Sequence, residues 1–176
     1  MIGKTFMNAV ANGKIDILEV FLQVLKETGF PYCVVGGLAV NAYVEPVVSL
    51  DLDIVVALEG IDKVCKVARL RGLKAKEFEH SVNLIHAKSD LRIQLQTDRR
   101  YQEFIPRSRT KQILGYKMKV AVLKDVVQGK IWAYMDEQRR KSKRHKDLAD
   151  IMRLIEAYPQ LKDRVPNGVR KELKLR

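Results

Sequence analysis

The sequence has little cysteine, little histidine and no long apolar run. Cys33 and Cys65 lie in apolar segments without paired spacing, which excludes a disulfide framework and predicts buried free thiols. His80, His86 and His145 lack the spacing of metal ligands, so we assign them no role. No apolar stretch approaches the roughly 20 residues that span a bilayer, and no N-terminal segment has the pattern of a secretory signal. These absences predict a cytoplasmic protein without a membrane partner.

The chain instead has a large excess of positive charge. Its 33 lysines and arginines outnumber the acids enough to give a net charge of +12, which is typical of proteins that bind polyanions. On charge alone, nucleotides, RNA and acidic membrane surfaces remain open, as does simple solvation of helices. A hydrophobic content of 47% is enough for a core. We expect one compact unit, with an α/β core over 1–122 and a helical C-terminal part over 123–176.

Hydrophobic periodicity predicts both helices and strands. Helical spacing runs from Ile15 to Leu25 and ends at Gly29. The other predicted helices cover 38–43, 61–70, 123–134 and 148–158, and the predicted strands cover 32–35, 50–56, 73–79, 82–87, 91–96 and 116–122. A basic loop is expected after Pro106, and the tail from Leu161 is expected to be only partly ordered. The fold class is therefore α+β, with a mixed sheet of four to five strands flanked by helices.

The most specific feature is a Gly-Gly turn followed by two acids. Gly36 and Gly37 follow the predicted strand 32–35, and Asp51 and Asp53 lie on the next strand. Glycines at such a turn let a phosphate approach the backbone, and the N–H groups of the following helix face an anion. Residues i and i+2 of a strand share one face, roughly 6.5–7 Å apart, so the two carboxylates favour a divalent cation. The pattern indicates a metal site beside a phosphate-binding turn.

This arrangement resembles the nucleotidyltransferase superfamily typified by DNA polymerase β, poly(A) polymerases and aminoglycoside nucleotidyltransferases. The hallmark of that superfamily is an apolar strand, a Gly-Gly or Gly-Ser turn, and acid-x-acid on the next strand. Two segments are more closely similar to small prokaryotic members related to abortive-infection toxins: Gly36-Gly37-Leu38-Ala39-Val40 and Lys146-Asp147-Leu148-Ala149-Asp150-Ile151. The resemblance covers roughly residues 15–158 and implies a nucleotidyltransferase-type sheet.

The resemblance also implies roles for individual residues in nucleotidyl transfer assisted by two metal ions. Asp51 and Asp53 are expected to hold both Mg²⁺ ions. Gly36 and Gly37 are expected to cradle the phosphates of a nucleoside triphosphate, with Ser49 nearby.

Basic side chains later in the chain extend this expectation. Lys130, or the basic run 139–146, is expected to neutralise charge on the triphosphate, and RNA is the other candidate partner of the run. Two interpretations of the helix that carries Asp147 and Asp150 remain open. The acids belong to the nucleotide cleft, or they only interact favourably with the dipole at the start of a helix. For the aromatic residues near the basic loop and for Trp132, core packing is favoured over stacking on a base.

The third acid of the superfamily is missing from this sequence. The superfamily normally places another Asp or Glu on a neighbouring strand as general base, and the matching position on strand 91–96 is Gln94. Glutamine is neutral and cannot accept the proton. Asp90 and Asp98 share its face but each lies about 13 Å away along the strand. Glu79 on an earlier strand is the remaining substitute.

Three hypotheses follow. The first is a nucleotidyltransferase that binds nucleoside triphosphate and Mg²⁺ and transfers the monophosphate to a hydroxyl of RNA, protein or a small molecule. The second is a nucleotide- or RNA-binding member that lost its activity with the acid at Gln94. The third is a subunit of a toxin–antitoxin pair.

Overall fold

A seven-stranded mixed β-sheet forms the centre of the protein, in a computed structural model that describes residues 3–175. The strands are β1 (Tyr32–Val35), β2 (Asp51–Val56), β3 (Lys74–Phe78), β4 (Ser81–His86), β5 (Ser89–Gln96), β6 (Arg109–Ile113) and β7 (Tyr116–Val120). They lie in the order β3-β4-β5-β2-β1-β7-β6, so β2 is central. It runs parallel to β5 and antiparallel to β1.

Helices cover the sheet on both faces. Within residues 3–175 they are α1 (Gly3–Val10), α2 (Ile17–Thr28), α3 (Gly36–Val40), α4 (Ile61–Leu70), α5 (Leu123–Met135), α6 (Lys141–Ala157) and α7 (Asn167–Glu172). Helices α2 and α4 pack together on one face, and α5 and α6 pack together beside α3 on the other. Strand alternation directs Leu52 and Ile54, both fully buried, to the α2 side. Asp51 and Asp53 therefore point to the α3 side.

Several element boundaries agree with the sequence prediction because local signals define them. Helix α2 begins after Asp16, whose carboxylate accepts a hydrogen bond from the Glu19 N–H at 2.9 Å, and ends at Gly29 with φ 72°. Strand β5 keeps the predicted alternation, with Leu91, Ile93 and Leu95 all buried. The mixed sheet flanked by helices is confirmed.

Three details of the prediction are wrong, and one further helix was not predicted. The sheet has seven strands rather than four or five, in part because the expected basic loop contains β6, which pairs with β7. The helix that was not predicted is α1, since residues 3–10 carry little hydrophobic pattern. Helix α6 begins at Lys141, inside the basic run. The tail is folded onto the core, where it buries Leu161, Val165, Val169 and Leu173.

No helix within residues 3–175 combines the length and the apolar character needed to cross a membrane.

Candidate active site

The Gly-Gly turn and the acidic strand meet as their sequence pattern predicts. Strand β1 ends at Val35, which pairs directly with Asp53 on β2, so the turn that follows lies against the carboxylate. Gly36 has φ +67°, a conformation that residues with a Cβ rarely adopt. A Cβ placed there would overlap the Asp53 side chain, with the carboxylate carbon 2.7 Å away. Only glycine lets the backbone and the carboxylate approach this closely.

Ser49 lies next to the same turn and binds the backbone of Asp51. Its hydroxyl donates to the backbone oxygen of Asp51 at 3.2 Å and accepts from the Asp51 N–H at 3.3 Å. A Cβ at Gly37 would lie 3.6 Å from the hydroxyl oxygen of Ser49, so the two residues are neighbours. Because its hydroxyl is directed to backbone and 93% of the residue is buried, Ser49 positions Asp51.

Two cations hold both oxygens of Asp51. Arg92 donates to Oδ1 from Nε at 3.0 Å and from Nη2 at 2.7 Å, and Lys143 donates to Oδ2 at 2.9 Å. Burial alone would raise the pKa of this carboxyl, but the hydrogen bond and charge of Lys143, together with Arg92, lower it below the usual value. Asp51 is therefore an ionised carboxylate that is already paired.

Sequence reasoning missed both of these cations. Arg92 stands directly opposite Asp51 in the β2–β5 register, which the parallel pairing alone determines. Lys143 comes from the start of α6, which is 92 residues away in sequence. The one sequence feature that pointed to a role for Lys143 in the site was its position in the basic run 139–146.

Asp53 has no hydrogen-bond or ion-pair partner among residues 3–175. It faces the cleft that Gly36 borders. Burial raises the pKa of Asp53 above its usual value; Lys130 acts against this shift and the charge of Asp51 adds to it. A partly buried carboxylate to which residues 3–175 offer no partner is costly, and it favours binding of a cation from solvent.

Gln94, the residue at which the sequence comparison with the superfamily expects a third acid, lies next to Asp53. Gln94 pairs in register with Asp53 on one side and with Asn83 on the other, so the three side chains share one face. Glu79 does not substitute, because it lies in the turn between β3 and β4 with its side chain 83% exposed. Asp98 does reach the cleft, but Arg100 holds it at 2.7 Å.

Lys130 is buried in an ionic cluster between α5 and α6. Its ammonium lies 2.8 Å from Asp147 and 2.7 Å from Asp150, and Arg139 and Arg153 complete the pairing of these acids. Burial lowers the pKa of Lys130, but Asp150 and Asp147 outweigh this effect and raise it. The helix 146–151 that the sequence singled out thus anchors Lys130 beside the cleft.

The aromatic residues near the cleft pack on one another. Trp132 has the ring of Phe104 stacked on one face, with centroids 5.6 Å apart, and Arg100 lies 4.9 Å from its centroid. Tyr101 meets both rings edge-on at 5.3 Å. Packing is therefore their role, as the sequence favoured.

The cleft contains a cavity of about 200 Å³, bordered by Gly36, Asp53 and Asp98 on one side and by Lys130 and Trp132 on the other.

Within residues 3–175, no cluster of three His, Cys, Asp or Glu side chains is arranged to hold a metal ion. The pair Asp51–Asp53 fits one Mg²⁺ ion, with Asp53 free to bind it and substrate phosphates and water as the remaining ligands. It does not fit two ions, because Gln94 is neutral and Asp51 is shared with two cations.

Solved structures share this architecture over most of their length. ANT(2'')-Ia in complex with adenylyl-2''-tobramycin superposes with a TM-score of 0.66 and 14% identity, covering 90% of this chain and 95% of that one. The lincomycin-bound lincosamide antibiotic adenylyltransferase LnuA gives 0.56 and 12%, covering 81% and 98%. An antigenic nucleotidyltransferase-like protein from Paracoccidioides brasiliensis gives 0.56 and 16%, covering 96% and 85%. No protein-family model and no curated protein matches the chain.

Proposed function

Because the chain has the nucleotidyltransferase fold, we propose that it binds a nucleoside triphosphate with one Mg²⁺ ion in this cleft and transfers the nucleoside monophosphate to an acceptor hydroxyl. The observation that carries the proposal is Asp53, a cleft carboxylate that has no partner in the described part of the chain and that is held against the backbone of Gly36. Solved adenylyltransferases with this fold support the reaction class.

Different residues of the chain would bind the phosphates and the metal ion. Gly36 and Gly37 present backbone without side chains to the phosphates, and Asp53, with Asp51, would hold the metal ion. The Mg²⁺ ion, when bound, neutralises phosphate charge and the charge that develops on the leaving pyrophosphate. Lys143 and Arg92, whose side chains are 32% and 38% exposed, are the two cations that would turn from Asp51 to a phosphate.

The transfer step replaces the phosphoanhydride bond between the α- and β-phosphates by a phosphoester bond to the acceptor. The acceptor oxygen forms a bond to the α-phosphorus, the bond from that phosphorus to the pyrophosphate oxygen breaks, and the acceptor proton passes to water. Gln94 stands where a carboxylate would take this proton, so no side chain at that position assists its removal. We therefore expect slow transfer.

A binding-only function is the second candidate. It is favoured by one specific observation, the pairing of both Asp51 oxygens with Arg92 and Lys143 next to the neutral Gln94. Such a protein would hold the triphosphate without turning it over.

Calorimetry with ATP or GTP and Mg²⁺ tests binding. The parent should bind, and Asp53→Asn should lose most of the Mg²⁺-dependent affinity. Asp163→Asn, which removes the same charge from a side chain that is 94% exposed, is the matched control. Absence of binding by the parent, or equal binding by Asp53→Asn, would overturn the proposal.

Transfer of label from α-labelled triphosphates to cellular RNA and protein tests catalysis. Gln94→Asp restores a carboxylate beside Asp53, and we expect it to raise transfer by roughly 10²-fold or more, the usual contribution of a general base. Transfer by the parent that Asp53→Asn abolishes would eliminate the binding-only alternative. If neither the parent nor Gln94→Asp transfers label, the binding-only function stands.

A further inference from the structure

The sheet face that carries Asp53 continues outward over β5, β4 and β3. In register across these strands lie Gln94, Asn83 and Lys76, one on each strand. Exposed side chains on the same face include Phe78 on β3 and Ile85 on β4. We call this surface the outer face; its side chains are Lys74, Lys76, Phe78, Asn83, Ile85, Asp90, Arg92 and Gln94.

Positive charge predominates on the outer face. By strand alternation, Lys74, Lys76 and Arg92 lie on this side, whereas the acid of β3, Glu77, lies on the opposite side. Asp90, at the start of β5, is the one acid of β3–β5 on the outer face by strand alternation. The face thus has an excess of cations and favours an anionic ligand.

A second basic segment meets the outer face at Asp51. Arg92 reaches this carboxylate from the sheet, and Lys143 reaches it from α6. Arg140 and Lys141, both exposed, come just before Lys143 at the start of that helix, where the first turn contains no acid. Cations at a helix start oppose the helix dipole, so this placement is costly unless an anion lies against them. A positive track therefore runs from β3 across Asp51 to α6.

The outer face also offers groups that a nucleobase uses. Phe78 is 49% exposed, and the Lys76 ammonium lies 5.2 Å from its ring centroid. The side-chain oxygen of Asn83 is buried and has no hydrogen-bond partner among the described residues. Aromatic rings stack on bases, and amide side chains bond to base edges and ribose hydroxyls.

We propose that the acceptor is the end of a single-stranded RNA laid over the outer face, with its phosphates on Lys74, Lys76 and Arg92 and a base against Phe78. This inference rests on the proposed function for the identity of the hydroxyl donor, since the strand leads toward Asp53. The binding surface itself is independent of catalysis. An acidic protein segment would match the charge but would leave Phe78 and Asn83 without partners.

Binding of a fluorescent single-stranded RNA, measured by anisotropy without nucleotide, tests the surface. Lys74→Gln with Lys76→Gln should weaken binding roughly tenfold or more, and the slope of log affinity against log salt should fall by about 1.4, since each contact to a single strand contributes about 0.7. Lys63→Gln with Lys66→Gln removes the same charge from the exposed side of α4 and should leave both quantities unchanged. Phe78→Ala should weaken binding several-fold with an unchanged slope.

Three results would overturn the inference. They are equal weakening by the α4 control, unchanged binding by the β3 pair, and competition by poly-glutamate as effective as that by unlabelled RNA. Failure of the proposed function is distinguishable, because calorimetry with triphosphate does not involve Lys74, Lys76 or Phe78. If the protein binds triphosphate but not RNA, only the proposed RNA-binding role of the outer face is wrong. If it binds RNA but not triphosphate, only the proposed nucleotide site is wrong.

Discussion

Gly36 determines the geometry of the site at the level of a single residue. Its φ of +67° and the absence of a Cβ let the backbone lie directly against the Asp53 carboxylate. The sequence pattern indicated a turn here, but the contact with Asp53 follows from the pairing of Val35 with Asp53. The turn and the acid therefore depend on each other.

Gly36→Ala should destabilise the protein strongly. The substitution combines an unfavourable backbone conformation with overlap on Asp53, which together cost about 2–4 kcal/mol. Thermal denaturation checks this, with Gly168→Ala as the control. Gly168 lies in α7, and no atom of the described residues comes within 4 Å of its Cβ position, so alanine there should stabilise by roughly 0.5–1 kcal/mol. Equal effects of the two substitutions would contradict the contact.

Asp53 is expected to reduce stability while it serves the site. Burial raises the pKa of Asp53, so the folded state holds the carboxyl proton more tightly than the unfolded chain does. The folded state is therefore favoured below the usual carboxyl pKa, and this stability is lost as the pH rises through the folded-state pKa. Asp53→Asn removes the charge, so at pH 7 the Tm should rise by about 2–4 °C, the shift that ~1 kcal/mol produces at this chain length. The difference should shrink as the pH is lowered through the acidic range. A lower Tm for the variant would mean that the carboxylate is paired.

At the level of elements, the cluster around Lys130 joins α5 to α6. One ammonium on α5 meets two carboxylates on α6, and all three residues are at least 95% buried. The cluster places α6, and with it Lys143, over the cleft. Its main effect is therefore to position the helix pair.

Lys130→Met should lower the free energy of unfolding by about 3–5 kcal/mol, because it leaves Asp147 and Asp150 buried with fewer partners. The raised pKa of Lys130 makes its contribution present below the usual lysine pKa and lost as the pH rises through the folded-state pKa. Denaturant unfolding from neutral to alkaline pH measures both effects. Adding Asp147→Asn and Asp150→Asn should recover much of the loss; no recovery would show that Lys130 acts by packing alone.

Local signals explain which elements could be predicted from sequence. The alternation of Leu91, Ile93 and Leu95 defines β5, and Gly29 defines the end of α2. Strand β6 carries four polar or charged residues before Ile113 and lies at the sheet edge, so periodicity did not reveal it. The pairing of Lys130 with Asp147 and Asp150 could not be predicted either, because it depends on how α5 packs against α6.

At the level of the whole molecule, the C-terminal tail is part of the core. Its spacing of Leu161, Val165, Val169 and Leu173 buries one apolar residue per helical turn. Proline and glycine in this segment suggested partial order, but Pro159 and Pro166 lie where short helices begin and Gly168 lies within the first turn of α7. Burial of four apolar side chains outweighs the low intrinsic helicity.

Leu161→Ala should therefore cost about 2–4 kcal/mol, as expected for a large-to-small change at a buried site. Gln160→Ala, at the adjacent exposed position, should change stability by less than about 0.5 kcal/mol. Chemical denaturation of the full chain compares the two. Similar small effects would mean that the tail is only loosely attached.

The central position of β2 has a consequence for how the protein opens. Three strands lie on each side of it, and fluctuations that fray the sheet begin at the outer strands β3 and β6. Amide protons of residues 52–55 should be among the slowest to exchange with deuterium, and those of β3 should exchange much faster. Asp51 and Asp53 would then stay in register through partial opening events, while the outer strands rearrange around a visiting ligand.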